Sequence, residues 1–107
     1  METVEKSSVF KASEIIDYAS GSVVSKVIVK RNGGNITLFA FDKGQGLSEH
    51  TAPFDALVQV LEGEAEIILD KQSFRVKVGE SIIMPADVPH AVSAAMRFKM
   101  QLTMIKD

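Results

Sequence analysis

The strongest constraint on this chain is a side-chain period of two, carried in short runs separated by turn residues. Residues 97–103 show it most plainly: Phe98, Met100 and Leu102 alternate with Arg97, Lys99, Gln101 and Thr103, the pattern of a strand with one face in a core. Ala65, Ile67 and Leu69 alternate with Glu64, Glu66 and Asp70, with Ile68 the exception, and Phe74, Val76 and Val78 alternate with Ser73, Arg75 and Lys77. The intervening Asp70-Lys71-Gln72 reads as a hairpin turn. Upstream, residues 23–31 are rich in β-branched side chains, and Asn32-Gly33-Gly34-Asn35 supplies the positive-φ residues a tight reversal needs before residues 36–41 continue as strand. Only residues 13–18 resemble a helix, with Ser13 as N-cap, and they are too few to stand without packing.

Eight or nine short strands, with no helical segment long enough for a crossover, exclude a βαβ fold and predict an all-β, antiparallel sandwich or barrel. A small double-sheet jelly roll fits 107 residues with 46% hydrophobic content, read as a single domain, 1–107, around one core. Val27-Ile28-Val29 and Ile82-Ile83-Met84 are apolar on both faces, so their strands are expected to be covered on both sides, the second cover being a further subunit. A formal charge of −2 with dispersed lysine and arginine gives no footprint for nucleic acid or an anionic membrane surface, which leaves a small molecule as the expected ligand. The absence of cysteine excludes disulfides, thiolate metal sites and cysteine nucleophiles. The amino terminus lacks the apolar run of a secretion signal, and no stretch approaches the roughly 20 apolar residues of a membrane span. A soluble, cytoplasmic protein is the expectation.

The two histidines of the chain, His50 and His90, fall inside two glycine-anchored patterns. In the first, Gly44, His50, Ala52, Ala56 and Gly63 occupy the points of Gly-x5-His-x-His-x3-Glu-x6-Gly; in the second, Gly79, Pro85, Asp87, His90 and Ala94 occupy those of Gly-x5-Pro-x-Gly-x2-His-x3-Asn. Three of five points match in each, in the right order, with 15 residues between them. On these motifs the chain resembles the small single-domain cupins, whose fold is a double-stranded β-helix or jelly-roll barrel. Gly44, Gly63 and Gly79 lie between strand-like runs, where freedom at φ lets the chain reverse. Pro85 suits a strand end leading into the turn Ala86-Asp87-Val88-Pro89, and Asp87 replaces the usual glycine with a residue that tolerates positive φ.

The resemblance implies that His50 and His90 point into the barrel and hold a divalent transition metal such as zinc, nickel, iron or manganese. It also implies a degenerate site, because Ala52 and Ala56 stand where the family has a third histidine and a glutamate. Two neutral imidazoles hold a metal poorly, since catalytic sites keep three protein ligands or more, so partial occupancy or none is expected. Asp55 and Asp87, close to bends, are the candidate substitute ligands, whereas Glu49 and Gln59 fall on the outward strand phase. Two imidazoles side by side in an apolar barrel also resist charging together, so one is expected to titrate below the usual range.

The alanines empty volume at the centre of the barrel, which is either filled by Phe39, Phe41, Met84, Phe98 and Met100 or left as a cavity for an organic ligand bounded by those residues. The segment Thr51-Ala52-Pro53-Phe54-Asp55 reads as a loop over the barrel mouth, a lid or a subunit contact. Three functions remain open. A module binding a small polar molecule at His50 and His90 comes first. An enzyme, either a metal-dependent dioxygenase or isomerase or a metal-free epimerase with both histidines catalytic, comes second. An inert dimeric scaffold comes third. The apolar strand 23–29, with the family's habit of pairing amino-terminal strands, predicts a homodimer. Sedimentation equilibrium at micromolar concentration is expected to give twice the mass of one chain; the mass of one chain would overturn it.

Overall fold

A computed structural model describes residues 4–107, and the period-two runs appear in it as nine strands. These are β1 (Val23–Arg31), β2 (Gly34–Phe41), β3 (Gly46–His50), β4 (Asp55–Glu62), β5 (Glu64–Leu69), β6 (Gln72–Lys77), β7 (Ser81–Met84), β8 (His90–Ser93) and β9 (Phe98–Ile105). They form a five-stranded sheet in the order β1-β2-β9-β4-β7 and a four-stranded sheet in the order β3-β8-β5-β6. Every pairing is antiparallel. The fold is the double-stranded jelly-roll barrel expected from the motifs.

Alternation decides what lies between the sheets. In β4, Ala56, Val58 and Val60 are buried while Leu57, Gln59 and Leu61 face the other way. Ala65 and Ile67 of β5, Val76 of β6, Met84 of β7 and Val92 of β8 join them in one core with Phe41, Phe98, Met100 and Leu102. Phe41 and Phe98 are cross-strand partners on β2 and β9 and stack with ring centroids 4.5 Å apart.

The turns follow from local chemistry. Asp70 and Lys71 both take positive φ, 48° and 70°, and bring Leu69 opposite Gln72, as a two-residue hairpin requires. In the Asn32-Gly33-Gly34-Asn35 reversal only Gly34 has a positive φ, so the expectation of several such residues is corrected to one. Gly63 has φ 75°, and a Cβ there would run into the Arg97 carbonyl, so the β4–β5 turn excludes a side chain for two separate reasons. Asp87 takes the left-handed φ of 63° in place of the family's glycine.

Two expectations are corrected by the amino-terminal segment. Residues 13–18 do not form a helix: a single 3-10 turn, Ala12–Glu14, forms instead, with Lys11 at its N-cap position and no side-chain cap. The lost helix is replaced by packing, since Ile16, with Ile15 and Tyr18, covers Leu38 and Ala40 on the outer face of the large sheet, together with Val24, Ile28 and Leu61. The second cover over β1 and β2 is therefore supplied in part by the chain itself. Val27 and Val29 remain 42% exposed and Ile83 59%, so those positions are not covered. Among the described residues, no helix is long and apolar enough to cross a membrane.

Polar groups fasten this cover. Lys99, on the polar phase of β9, is 7% exposed, because its Nζ donates to the Ser13 carbonyl at 2.7 Å and lies 3.8 Å from a Glu62 carboxylate oxygen. The Tyr18 hydroxyl donates to Glu62 at 2.8 Å, and its ring lies under Arg97 and Lys99. Burial, reinforced by the Glu62 carboxylate, pushes the Tyr18 hydroxyl well above the usual phenol range. Asp42 accepts from the Gly21 amide at 2.7 Å, the Lys43 amide at 2.9 Å and the Arg97 Nε at 2.8 Å.

The Arg97 hydrogen bond, followed by the two amides, lowers the Asp42 carboxyl to about 2. A depressed carboxylate stabilises the fold above its ordinary value of 3.8 and loses that contribution as pH falls through about 2. Asp42→Asn is expected to lower the melting temperature at neutral pH, and the gap from the wild type should close near pH 2. Thermal unfolding of both proteins across this range checks it; an equal gap at both ends would refute the linkage.

Candidate functional site

His90 opens β8, and alternation with the buried Val92 turns it inward, leaving it 6% exposed. His50 reaches the same place by an irregularity. Leu47 is opposite Val92 and His50 is opposite His90, so β3 spends three steps where β8 spends two. Plain alternation from the inward Leu47 would send Glu49 inward and His50 outward. The extra residue reverses the phase, as a bulge does, and delivers the His50 ring to its cross-strand partner. Glu49 is exposed, as expected.

The rings meet edge to face, with centroids 4.2 Å apart and the two Nε2 atoms 3.0 Å apart. His50 Nδ1 lies 2.8 Å from the Ser48 carbonyl oxygen and His90 Nδ1 lies 3.2 Å from the Val88 carbonyl oxygen. A carbonyl oxygen only accepts, so each Nδ1 carries a hydrogen and donates it. Both Nε2 atoms, left without a hydrogen, then lie within hydrogen-bond distance of each other. Two acceptors at 3.0 Å repel unless a cation lies between them, which is either one shared proton or a metal ion. Anchoring the far nitrogen on a carbonyl is also how proteins orient metal-ligating histidines.

The two rings differ in environment. His50 is exposed, whereas His90 is buried, and burial pushes the His90 imidazole below its usual range. The Val88 carbonyl opposes this shift and the charge of His50 adds to it.

The remaining donors expected from the motifs do not assemble around the pair. Asp55 accepts from the Ala86 amide at 2.8 Å, and the Asp87 amide donates to the Ala52 carbonyl at 2.8 Å. Asp55 thus ties the start of β4, and the Asp87 amide ties Ala52 of the 51–54 loop, to the 85–89 loop. Among the described residues there is no group of three or more His, Cys, Asp or Glu side chains placed to hold a metal ion. Asp55 and Asp87 therefore do not complete a three-ligand set, which corrects the expectation that either would substitute. Two neutral imidazoles alone do not suit a resident metal centre.

Ala56 is 4% exposed, with Met84 and Met104 as its cross-strand neighbours. Phe41, Phe98 and Met100 are fully buried, and Phe39 stacks on Phe41 at 5.9 Å. All of them belong to or pack against the core that contains Val92, two residues along β8 from His90. Ala56 is thus packed among the side chains of this core. The larger recesses described lie elsewhere, about 470 Å³ beside Phe74, Arg75 and Glu80, and about 370 Å³ between Phe10 and Ile28–Arg31. Phe54 in the mouth loop is half-buried, with Lys106 above its ring at 5.7 Å. The Ser48 and Val88 carbonyls that set the tautomers had no signal in the sequence, because every residue carries a carbonyl.

Comparison with known proteins agrees with this scaffold. The sequence model of the family described as "Cupin domain" matches residues 37–106. No curated protein matches the chain. Among solved structures, a conserved protein of unknown function from Streptococcus pyogenes is 36% identical, with a TM-score of 0.92 and coverage of 97% of this chain and 91% of that one. A cupin 2 conserved barrel domain protein from Leptotrichia buccalis is 43% identical over 91% of this chain, at a TM-score of 0.88, and the match spans 47% of that longer chain. A cupin superfamily protein from Desulfitobacterium hafniense, 26% identical, superposes with a TM-score of 0.92 over 99% of this chain and 97% of its own.

The depressed His90 has a consequence for stability. Above its ordinary value of 6.5 the imidazole is neutral in both the folded and unfolded chain. As pH falls below 6.5 the unfolded chain takes the proton first, so stability drops until pH passes the lower folded value. His90→Gln is expected to flatten this decline between neutrality and mildly acidic pH. Chemical denaturation of both proteins at stepped pH tests it, and identical slopes would count against a neutral, buried His90.

Proposed function

The chain belongs to the cupin family, and from that premise we propose that it binds a small polar organic molecule at the His50–His90 pair. The convergence of the two Nε2 atoms at 3.0 Å, with both Nδ1–H groups committed to backbone carbonyls, carries the reading. A ring pair fixed in tautomer and orientation offers a ligand a defined pair of nitrogens at no further ordering cost. His50 is exposed and gives access; His90 is buried and gives rigidity. Ala52 and Ala56 leave the neighbouring positions without donors of their own, and Phe39, Phe41, Met84, Phe98 and Met100 form the apolar wall behind. The stitched loops 51–54 and 85–89 frame the entrance.

A second reading draws on the same contact. Two imidazoles within hydrogen-bond distance that hold one proton between them are equipped to give and take a proton, the work of an isomerase or epimerase. Pairing of two copies through β1 is proposed alongside, supported by the exposure of Val27 and Val29 on that strand.

A thermal-shift and imidazole NMR screen of sugars, organic acids and aromatic acids tests the binding reading. At least one class should raise the melting temperature of the wild type and move both ring signals, and both effects should vanish in His50→Ala. A screen in which nothing moves either ring, or an unchanged shift in His50→Ala and His90→Gln, would reject it.

A further inference from the structure

We propose that Asp55 is a positioning residue for the histidine pair: by holding the Ala86 amide, its carboxylate keeps the Val88 carbonyl where it fixes the hydrogen of His90 on Nδ1. This deepens the ligand-binding reading, in which a ligand meets a bare His90 Nε2, and rests on that reading only for this consequence.

The hydrogen of a neutral His90 has two acceptors competing for it. On Nδ1 it is donated to the Val88 carbonyl oxygen at 3.2 Å; on Nε2 it would be donated to His50 Nε2 at 3.0 Å. The corresponding contact of His50 with the Ser48 carbonyl is shorter, 2.8 Å, so His90 is the ring with the looser tie. While the Val88 carbonyl stays in place, moving the hydrogen to Nε2 would set a bare Nδ1 against an oxygen lone pair, two acceptors in a buried site. With the carbonyl withdrawn that penalty disappears and the His50 nitrogen takes the hydrogen. The tautomer is therefore decided by whatever holds Val88.

The loop that carries Val88 does not hold itself. Met84 is the last β7 residue paired with β4, and the Pro85 that follows has no N–H to continue the ladder. Residues 85–88 form a turn with Asp87 in the left-handed region at its third position, and its own bond, from the Val88 amide to the Pro85 carbonyl, is stretched to 3.4 Å. The firmer ties come from outside. The Asp87 amide donates to the Ala52 carbonyl, the Asp70 amide to the Pro89 carbonyl and the Ala86 amide to Asp55 Oδ1, each at 2.8 Å. Of these three only the last is made by a side chain, and its acceptor is charged, which strengthens it. Asp55 is itself fixed, because it opens β4 opposite Ile105 of β9. It thus takes up the first amide beyond the end of the β4–β7 ladder. It is also exposed, so replacing it leaves the core untouched.

Nitrogen-15 NMR of the imidazoles in ligand-free, full-length protein reads the tautomer directly, because a ring nitrogen with a hydrogen and one without resonate far apart. Spectra are taken above the ordinary histidine value of 6.5, where the His90 ring is neutral, and His50→Gln identifies which signals belong to which ring. The wild-type His90 is expected to show a protonated Nδ1 and a bare Nε2. In Asp55→Ala its Nε2 signal should move towards that of a hydrogen-bearing nitrogen. Asp55→Asn keeps an oxygen acceptor and should stay close to the wild type. Asp55→Val, suited to a strand, takes the place of the alanine variant if circular dichroism shows that one unfolded. Asp42→Asn, which weakens the fold through Gly21, Lys43 and Arg97, should leave the His90 signals where they are.

Unmoved His90 nitrogens in both Asp55→Ala and Asp55→Val would overturn the proposal, as would a wild-type His90 with its hydrogen on Nε2. An equal movement in Asp42→Asn would reduce the effect to lost stability, and an Asp55→Asn that behaves like Asp55→Ala would assign it to the carboxylate's charge; either result overturns positioning through Ala86. A tautomer change in Asp55→Ala alongside a screen that finds no ligand would support this proposal and remove the binding reading. A ligand found by the screen with no tautomer change would remove this proposal alone.

Discussion

Phe41 and Phe98 face each other across β2 and β9 with no exposure to solvent, and the inner faces of both sheets are arranged around that contact. Burying each ring stabilises the fold by about 1.5–3 kcal/mol, and the stacked contact adds about 0.5–1.5 kcal/mol. Because side chains alternate with period two, fixing these two rings inward fixes Met100 and Leu102 inward on β9. It sends Lys99 and Gln101 to the outer face. One contact thus sets the register of the large sheet, and through β4 it sets which way Ala56 points.

The functional pair depends on a local exception to that rule. A regular β3 would present Glu49 to the interior and hold His50 outside; the additional residue between Leu47 and His50 reverses the phase at the end of the strand. An irregular ladder costs hydrogen bonds at a sheet edge, where the loss is least, and aims a single side chain. The glycine-like φ of Asp87 does comparable work on the opposite loop, letting its amide reach the Ala52 carbonyl. Both histidines are therefore placed by backbone conformation, and their tautomers are set by backbone carbonyls.

Much of this was legible in residue order. The strands announced themselves by alternation, the reversal at Gly63 by a residue that tolerates positive φ, the Asp70-Lys71 turn by its place between two alternating runs, and the two histidines by their spacing from Gly44 and Gly79. What was illegible depends on contacts distant in sequence. Residues 13–18 have a helical pattern, but the gain from packing Ile16 against Leu38 and Ala40 outweighs the preference of six residues. Lys99 reads as a solvated charge, yet it is buried because Ser13, 86 residues away, offers a carbonyl. The β3 bulge left no mark either, since neither Ser48 nor Glu49 is a residue that demands one. The double cover over β1 and β7 was inferred as a need; that residues 12–18 meet part of it at β1 is a tertiary fact.

The same packing that stabilises the barrel limits what its site accepts. Had the positions of Ala52 and Ala56 been accompanied by small neighbours, a deep cavity would select ligands by shape, with apolar contact doing most of the binding. Instead Phe41, Phe98 and Met100 are fully buried in the core, and the exposed part of the pair is the His50 ring beside the buried His90. A ligand bound at such a rim, as proposed, would have little apolar surface to bury, so its affinity would come from the two oriented nitrogens. In the binding proposed for this site, selectivity would follow donor geometry and charge more than size.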